Sequence, residues 1–361
     1  MIMMEDEKYM SEQIFVCGGG HQGLSMAAHL ALNGVDVTLW NRTRKNIEKI
    51  IKTGTIFCNG VVNGIAKNIK ASDRIDDVFR DTIMVTVPSN AYDDVAKVLA
   101  PKVNGNTLII LNPGRTFGAI DFMDKLKKYG VKEEPHIAET QTIVYTCRRS
   151  GENSATIFAM KNNVRIAALK NEDSDLAFGR IPKCLKTYFS LEESVVNTSL
   201  SNIGMILHCA PVLMNIGWIE NSKVDFKYYY DGISETIANF IEKMDVERCA
   251  VARKLGVNVE STVEWMNRIY HVDGKTIYQC IKLNDAYKSI DAPPTINSRY
   301  ILEDVPNGLV PIEYLGEQLQ MKTPNITLII DLSNSIFEKD FRKLGRRVGL
   351  ERIKKILQNE C

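Results

Sequence analysis

The chain has 361 residues, enough for two domains at about 100–200 residues each. Hydrophobic residues make up 45% and charged residues 25%, which excludes a disordered, collagen-like or low-complexity protein. Lys+Arg number 45 against 44 Asp+Glu, so the net charge of +1 supplies no global field toward nucleic acid or an anionic membrane.

Residues 1–13 carry acids where a signal peptide carries lysines, and no apolar core follows them. They are expected to form a flexible leader. No apolar run approaches the roughly 20 residues of a bilayer span. The 8 cysteines form no CxxC pair, and the 5 histidines show no ligand spacing, so no metal is expected. With no export signal, the expected compartment is the cytoplasm, with the thiols reduced.

Residues 14–17 form a short apolar run followed at once by Gly18-Gly19-Gly20-His21-Gln22-Gly23. An Ala/Leu-rich segment, residues 24–32, then ends at Asn33-Gly34. That is a strand, a glycine turn, a helix and a glycine stop. Residues 35–40 alternate as a second strand. Thr43 is placed to cap a helix whose apolar face is Ile47, Ile50 and Ile51, with Gly54 ending it. Strands at 82–87 and 107–111, closed by Pro88-Ser89-Asn90 and Asn112-Pro113-Gly114, alternate with a helix at 91–99. This spacing predicts a parallel sheet with helices on both faces.

From residue 136 the pattern becomes β-rich. Residues 136–148 read as one long strand, and 156–160 with 164–169 read as an antiparallel hairpin through Asn162-Asn163, extending the first sheet. After residue 195 the helical period dominates, over 233–255, 263–270, 276–287 and 326–336. The expected division is an α/β dinucleotide-binding domain at 14–194 and a helical substrate domain at 195–361.

The turn Gly18-x-Gly20-x-x-Gly23 lies between a strand and a helix, the context in which such a motif holds a dinucleotide. The first glycine permits the tight turn, the second admits a pyrophosphate, and the third lets helix and strand pack. Gly18, Gly20, His21, Gln22 and Gly23 are therefore candidate cofactor residues. An NAD site carries an acid at the end of the second strand. Here that position reads Asn41-Arg42, and Arg42 suits a 2′-phosphate. NADP is the expected cofactor, with NAD as the alternative. Pro88, Ser89 and Arg115 follow strand ends where open α/β sheets bind ligands. Arg115 is suited to a substrate carboxylate, and equally to a plain surface turn.

His208 follows an apolar helical stretch that the nearby Pro211 is expected to end. A lone histidine there is commonly a core residue, and its neighbours alone leave its role open. The segment Arg299-Tyr300-x-x-Glu303-Asp304-Val305-Pro306 is dense in charge between prolines.

Together, His208-x-Ala210-Pro211-Val212-Leu213 and the Arg299–Pro306 segment, with residues 229–234 and 138–148, resemble the opine dehydrogenases, the octopine/nopaline dehydrogenase group. The resemblance covers nearly the whole chain. It implies a Rossmann domain followed by an all-helical domain. It also implies reductive condensation of an amino acid with a 2-oxo acid, such as pyruvate, by NAD(P)H. By motif, His208 and Asp304 match the family's catalytic pair and Arg299 its substrate arginine. Thr142 and Cys147 match substrate-facing positions, and Asn202 fits the family's pattern near the nicotinamide or substrate. A homodimer is an open expectation. Two alternatives stand beside this reading. One is a single-substrate reductase of the ketopantoate or glycerol-3-phosphate dehydrogenase type. It is disfavoured because no lysine lies between Lys186 and Lys223. The other is a non-catalytic NADP-binding module.

Overall fold

The computed structural model describes residues 12–221 and 225–360. Most of the expected leader, residues 1–11, lies outside the described residues, and Gln13 already opens the first strand. The described residues form twelve strands in chain order: β1 (Gln13–Cys17), β2 (Asp36–Trp40), β3 (Ile56–Gly60), β4 (Gly64–Ala66), β5 (Lys70–Ser72) and β6 (Thr82–Val85). The second six are β7 (Leu108–Leu111), β8 (His136–Thr140), β9 (Tyr145–Gly151), β10 (Ser154–Met160), β11 (Val164–Ala168) and β12 (Phe189–Leu191).

Eight strands form one sheet in the order β12-β11-β8-β7-β6-β1-β2-β5, parallel except for the β8–β11 pair. Its centre shows why the apolar runs are unbroken. All four residues of β7 are buried, as a strand covered on both faces must be. Alternation along β1 sends Phe15 and Cys17 into one core and Ile14 and Val16 into the other. The first core continues into the helical half. The second packs under the His21–Leu32 helix and a separate four-stranded sheet, β4-β3-β10-β9.

That second sheet corrects two expectations. The stretch read as one strand from 136 is two strands in different sheets, β8 and β9. The expected hairpin does not form: β10 pairs with β9 and β3, while β11 pairs with β8 and β12. Both segments have strand periodicity, but residues 161–163 carry the chain from one sheet to the other. The Lys161 backbone N–H bonds to the Val144 carbonyl at 2.8 Å, and Asn163 sits at φ 52°, so the turn leaves the plane of either sheet. Thr43 caps no long helix either. A single 3-10 turn, Arg44–Asn46, precedes the Glu48–Thr53 helix, and no Thr43 side-chain hydrogen bond caps it.

Among the described residues all twelve strands lie before residue 192, and the Val195–Leu200 helix opens the helical half. Its long Glu235–Lys254 helix is capped by Ser234, and Thr262–Tyr270 begins with a Ser261/Glu264 capping box. Pro211 does not end the helix carrying His208, which runs Gly204–Met214 with the proline inside. Proline removes the donor that would reach the Leu207 carbonyl. The Tyr228 hydroxyl takes its place, 3.4 Å from that oxygen and 2.7 Å from the His208 carbonyl. Among the described residues no helix is long and apolar enough to cross a membrane.

Candidate active site

The glycine turn has the shape its spacing implies. Gly18 sits at φ +126°, and a Cβ on Gly23 would fall 1.7 Å from the Gly18 carbonyl oxygen. A Cβ on Gly20 would meet nothing within 4 Å, so that backbone faces open space. No side chain caps the His21–Leu32 helix, leaving its first-turn N–H groups to an incoming anion. Gln22 is buried, and its Nε2 finds no acceptor among the described residues. Gly20, His21, Gln22 and Pro88 line a cavity of about 540 Å³. An uncapped helix start, an orphaned donor and an open glycine fit a dinucleotide pyrophosphate. Asn41 Oδ1 accepts from the Gly19 N–H at 3.0 Å, so Asn41 ties the turn to the end of β2. Arg42 is exposed there and pairs with Asp94, and Arg44 pairs with Asp73 at 2.8 Å. No carboxylate occupies the position that would hold a ribose hydroxyl.

The same cavity reaches the helical half. His208 Nδ1 donates to Asp304 Oδ2 at 2.6 Å, which leaves Nε2 as the acceptor. The Tyr229 hydroxyl donates to it at 3.0 Å. The Tyr300 ring stacks on the imidazole with centroids 4.0 Å apart and planes at 17°. The ring is thus fixed by a carboxylate at one nitrogen and a flat aromatic wall on its face. Burial pushes His208 below its ordinary pKa, against the pull of Asp304, and Arg299 and Arg115 add to the depression. Burial also raises Asp304, but Arg115 and His208 outweigh it and hold the carboxyl below its usual range. The resting pair is a neutral imidazole on an ionised aspartate.

Arg115 corrects an expectation. Its guanidinium does not stand free for a substrate. Nε and Nη2 donate to Glu303 at 3.3 Å each, and Nη1 lies 3.5 Å from Asp304 Oδ1. The backbone of Arg115 is left-handed, at φ 64°, a conformation that surrounding contacts must hold. Gly204 leaves the guanidinium its room, since a Cβ there would lie 2.5 Å from Nη1. Ser89 joins this cluster rather than the cavity wall: its N–H and hydroxyl donate to Glu303 Oε1 at 2.9 and 3.1 Å. Asn202 is not among the lining residues. Its amide donates to Thr116 Oγ1 at 3.2 Å and its oxygen accepts from Gly204 N at 3.1 Å, so it braces the loop and the helix start.

Thr142, Cys147 and Arg299 do line the cavity, with His208, Tyr229 and Tyr300. Arg299 is exposed and enters no ion pair among the described residues. Sequence reasoning missed Tyr229 and Tyr300 as site residues, although both stood inside segments singled out for other reasons. It also missed Glu139. This buried residue accepts from Ser199 Oγ at 2.6 Å, Thr198 Oγ1 at 3.0 Å and Ala119 N at 2.8 Å, bonding β8 to the first helix of the helical half. Arg346, from the C-terminal segment, donates to the Gly114 and Thr116 carbonyls at 3.0 and 2.9 Å and grips the Arg115 loop from outside.

A glycine turn suited to a dinucleotide and a buried His–Asp pair on one cavity define a nucleotide-dependent oxidoreductase. The family model described as NAD/NADP octopine/nopaline dehydrogenase, alpha-helical domain, matches residues 191–337. The model for the NAD-dependent glycerol-3-phosphate dehydrogenase N-terminus matches residues 13–134. The chain is 34% identical over 349 residues to an opine dehydrogenase of Arthrobacter sp. (strain 1C), covering 95% of this chain and 94% of that protein. A tauropine dehydrogenase of Arabella iricolor is 25% identical over 303 residues, 74% of each chain. Octopine dehydrogenase in complex with NADH and agmatine superposes with a TM-score of 0.73 at 17% identity, over 97% of this chain and 96% of that one. Yersinopine dehydrogenase with NADP+ bound gives 0.72 at 12% identity, over 96% and 95%. The chain belongs to the opine dehydrogenase family, and it is an NAD(P)-dependent oxidoreductase.

Proposed function

We propose that this cavity condenses an amino acid with a 2-oxo acid such as pyruvate and reduces the resulting imine to an opine. The observation that carries the reading is the His208–Asp304 contact of 2.6 Å on the wall of the cavity that begins at the glycine turn. NAD(P)H, when bound, supplies the hydride. Gly18, Gly20, His21, Gln22, Gly23, Asn41 and Pro88 shape its place, and Arg42 favours NADP by pairing with a 2′-phosphate.

His208 is the general acid–base in this reading. Its Nε2, unprotonated at rest, takes one proton from the substrate ammonium, which frees the amine to attack the carbonyl carbon. A second proton passes from nitrogen to oxygen in the carbinolamine, and His208 returns the first to that oxygen, which leaves as water from a protonated imine. Asp304 holds the tautomer and stabilises the transient imidazolium. The substrate displaces the Tyr229 hydroxyl from Nε2. Arg299, without an ion pair among the described residues and beside the stacked Tyr300, grips a carboxylate, with Thr142 and Cys147 as walls. Arg115 acts one step back, holding Asp304 and Glu303. Residues 14–194 and 195–361 are the two units that would close around the substrates and exclude water that hydrolyses an imine.

A cytoplasmic location is part of this reading and is supported by the described cysteines, all of them free thiols. A homodimer through the helical half is favoured by Leu328, Leu332 and Ile336, which leave an apolar stripe exposed at helical spacing on Pro324–Phe337.

The test is a matrix of amino acids against 2-oxo acids, followed by NADPH and NADH absorbance. Oxidation that requires both partners is expected. Oxidation by an oxo acid alone would make this a single-substrate reductase.

A further inference from the structure

Four cationic side chains line the cavity besides its histidines: Arg115, Arg148, Lys161 and Arg299. Arg115 is committed to Glu303 and Asp304. Arg148 is exposed. Lys161 differs from all three. It stands just after β10 and is only 6% exposed. Its Nζ donates to two backbone carbonyls, Ile143 at 3.0 Å and Tyr145 at 3.4 Å, and it enters no ion pair among the described residues. An ammonium has three donors, so one remains for another acceptor. Burial lowers its pKa to about 8, with Arg299 and Arg115 pulling the same way against Cys147.

A buried cation without a counter-ion is costly, and proteins ordinarily pair one. Tying down residues 143 and 145 does not explain the charge, because a neutral donor would serve two carbonyls. A second buried donor lines the same cavity. Trp265 is 3% exposed, and its indole Nε1 finds no acceptor among the described residues. One ammonium donor left over from two carbonyl bonds and one indole N–H without an acceptor among the described residues make a place for an anion.

We propose that Lys161, assisted by the Trp265 indole N–H, is the second anion anchor of the cavity and holds the α-carboxylate of the amino acid. The assignment rests on the condensation reading above, in which both substrates bring a carboxylate. Arg299 adjoins Tyr300, the residue stacked on the catalytic imidazole, so it takes the carboxylate of the oxo acid, whose carbonyl must meet His208. Lys161 is left for the amino acid. Its charge is fixed and desolvated, so it selects a full carboxylate over an amide of the same shape.

The experiment compares the full-length wild type with Lys161→Met, Lys161→Arg and Trp265→Phe. Each is given an amino acid that the wild type accepts, and then the α-amide of that amino acid. Lys161→Met is expected to raise the amino-acid KM by about 10–100-fold, the effect of losing a charge-assisted hydrogen bond. The oxo-acid KM and NAD(P)H affinity should stay within about twofold, and the preference for acid over amide should collapse. Lys161→Arg should recover part of that preference. Trp265→Phe should raise the same KM by a smaller factor, and it carries the test if Lys161→Met does not fold. A rise in the oxo-acid KM instead, or unchanged constants with condensation intact, overturns the assignment alone. Wild-type turnover of an oxo acid without any amine overturns the condensation reading and this assignment with it.

Discussion

Arg115 Nη1 stands 3.5 Å from Asp304 Oδ1, while its Nε and Nη2 face Glu303, the residue before that aspartate. One buried guanidinium thus holds two consecutive buried carboxylates. Removing it leaves both charges uncompensated, which typically costs about 3–5 kcal/mol. Arg115→Met is expected to lower thermal and urea stability by that order and to raise the pKa of Asp304. Arg115→Lys should recover part of the loss. Melting and denaturant curves check this. An unchanged midpoint for Arg115→Met would show that the pairs contribute nothing.

The His208 pKa is depressed below 6.5, chiefly by burial, and Asp304 works against that depression. In the proposed mechanism the active resting form is the neutral imidazole, so activity should fall as pH drops through the depressed pKa. The kcat/KM profile for opine oxidation should show an acid limb below about 6.5. Asp304→Asn removes the charge that favours the imidazolium, so its acid limb should move lower still. A limb that moves upward in Asp304→Asn would contradict the electrostatic account.

Arg42 is exposed and pairs with Asp94. That exposed pair is weak, so a dianionic phosphate competes for the guanidinium at little cost. Arg42→Ala should weaken NADPH at least about tenfold, the scale of one charge-assisted contact, and leave NADH nearly unchanged. Fluorescence titration of both cofactors tests this, and equal losses would remove Arg42 from cofactor selection.

Glu139 titrates at about 7 because burial outweighs the donors from Ser199, Ala119 and Thr198. Its ordinary value is 4.5, so between those values the folded state binds a proton that the unfolded state has lost. Stability is therefore greatest below about 4.5 for this group and falls as pH rises toward 7, by about 3 kcal/mol. Glu139→Gln has no proton to lose. Its melting temperature should decline less than the wild type's between pH 5 and 7.5, and parallel declines would contradict the assignment.

The parts legible in the chain were those governed by local rules. A strand, three spaced glycines and an Ala/Leu helix specify β1 and its turn, because the Gly23–Gly18 approach admits no Cβ. The parallel pairing of the central strands followed from their alternation with helices, but their order did not. The second sheet was illegible, because β10 has equally regular spacing whether it pairs with β11 or with β3. Only long-range packing under the His21–Leu32 helix decides that choice. Pro211 was misread as a stop, since the hydroxyl that repairs its missing hydrogen bond comes from Tyr228. At the site, His208 and Asp304 could be named through family resemblance. Arg115 was recognised as a cation, with a substrate carboxylate and a plain surface turn equally open, and neither is where it sits: its counter-ions, Glu303 and Asp304, lie 188 and 189 positions downstream. A long-range ion pair leaves no periodic trace.

In the proposed mechanism the His208 imidazole moves the proton in the condensation. The most direct measurement is turnover of His208→Ala with saturating amino acid and oxo acid, alongside fluorescence titration of NADPH. The account predicts a kcat about 10²–10⁴-fold below wild type with cofactor affinity unchanged. A variant that turns over at near the wild-type rate would contradict it.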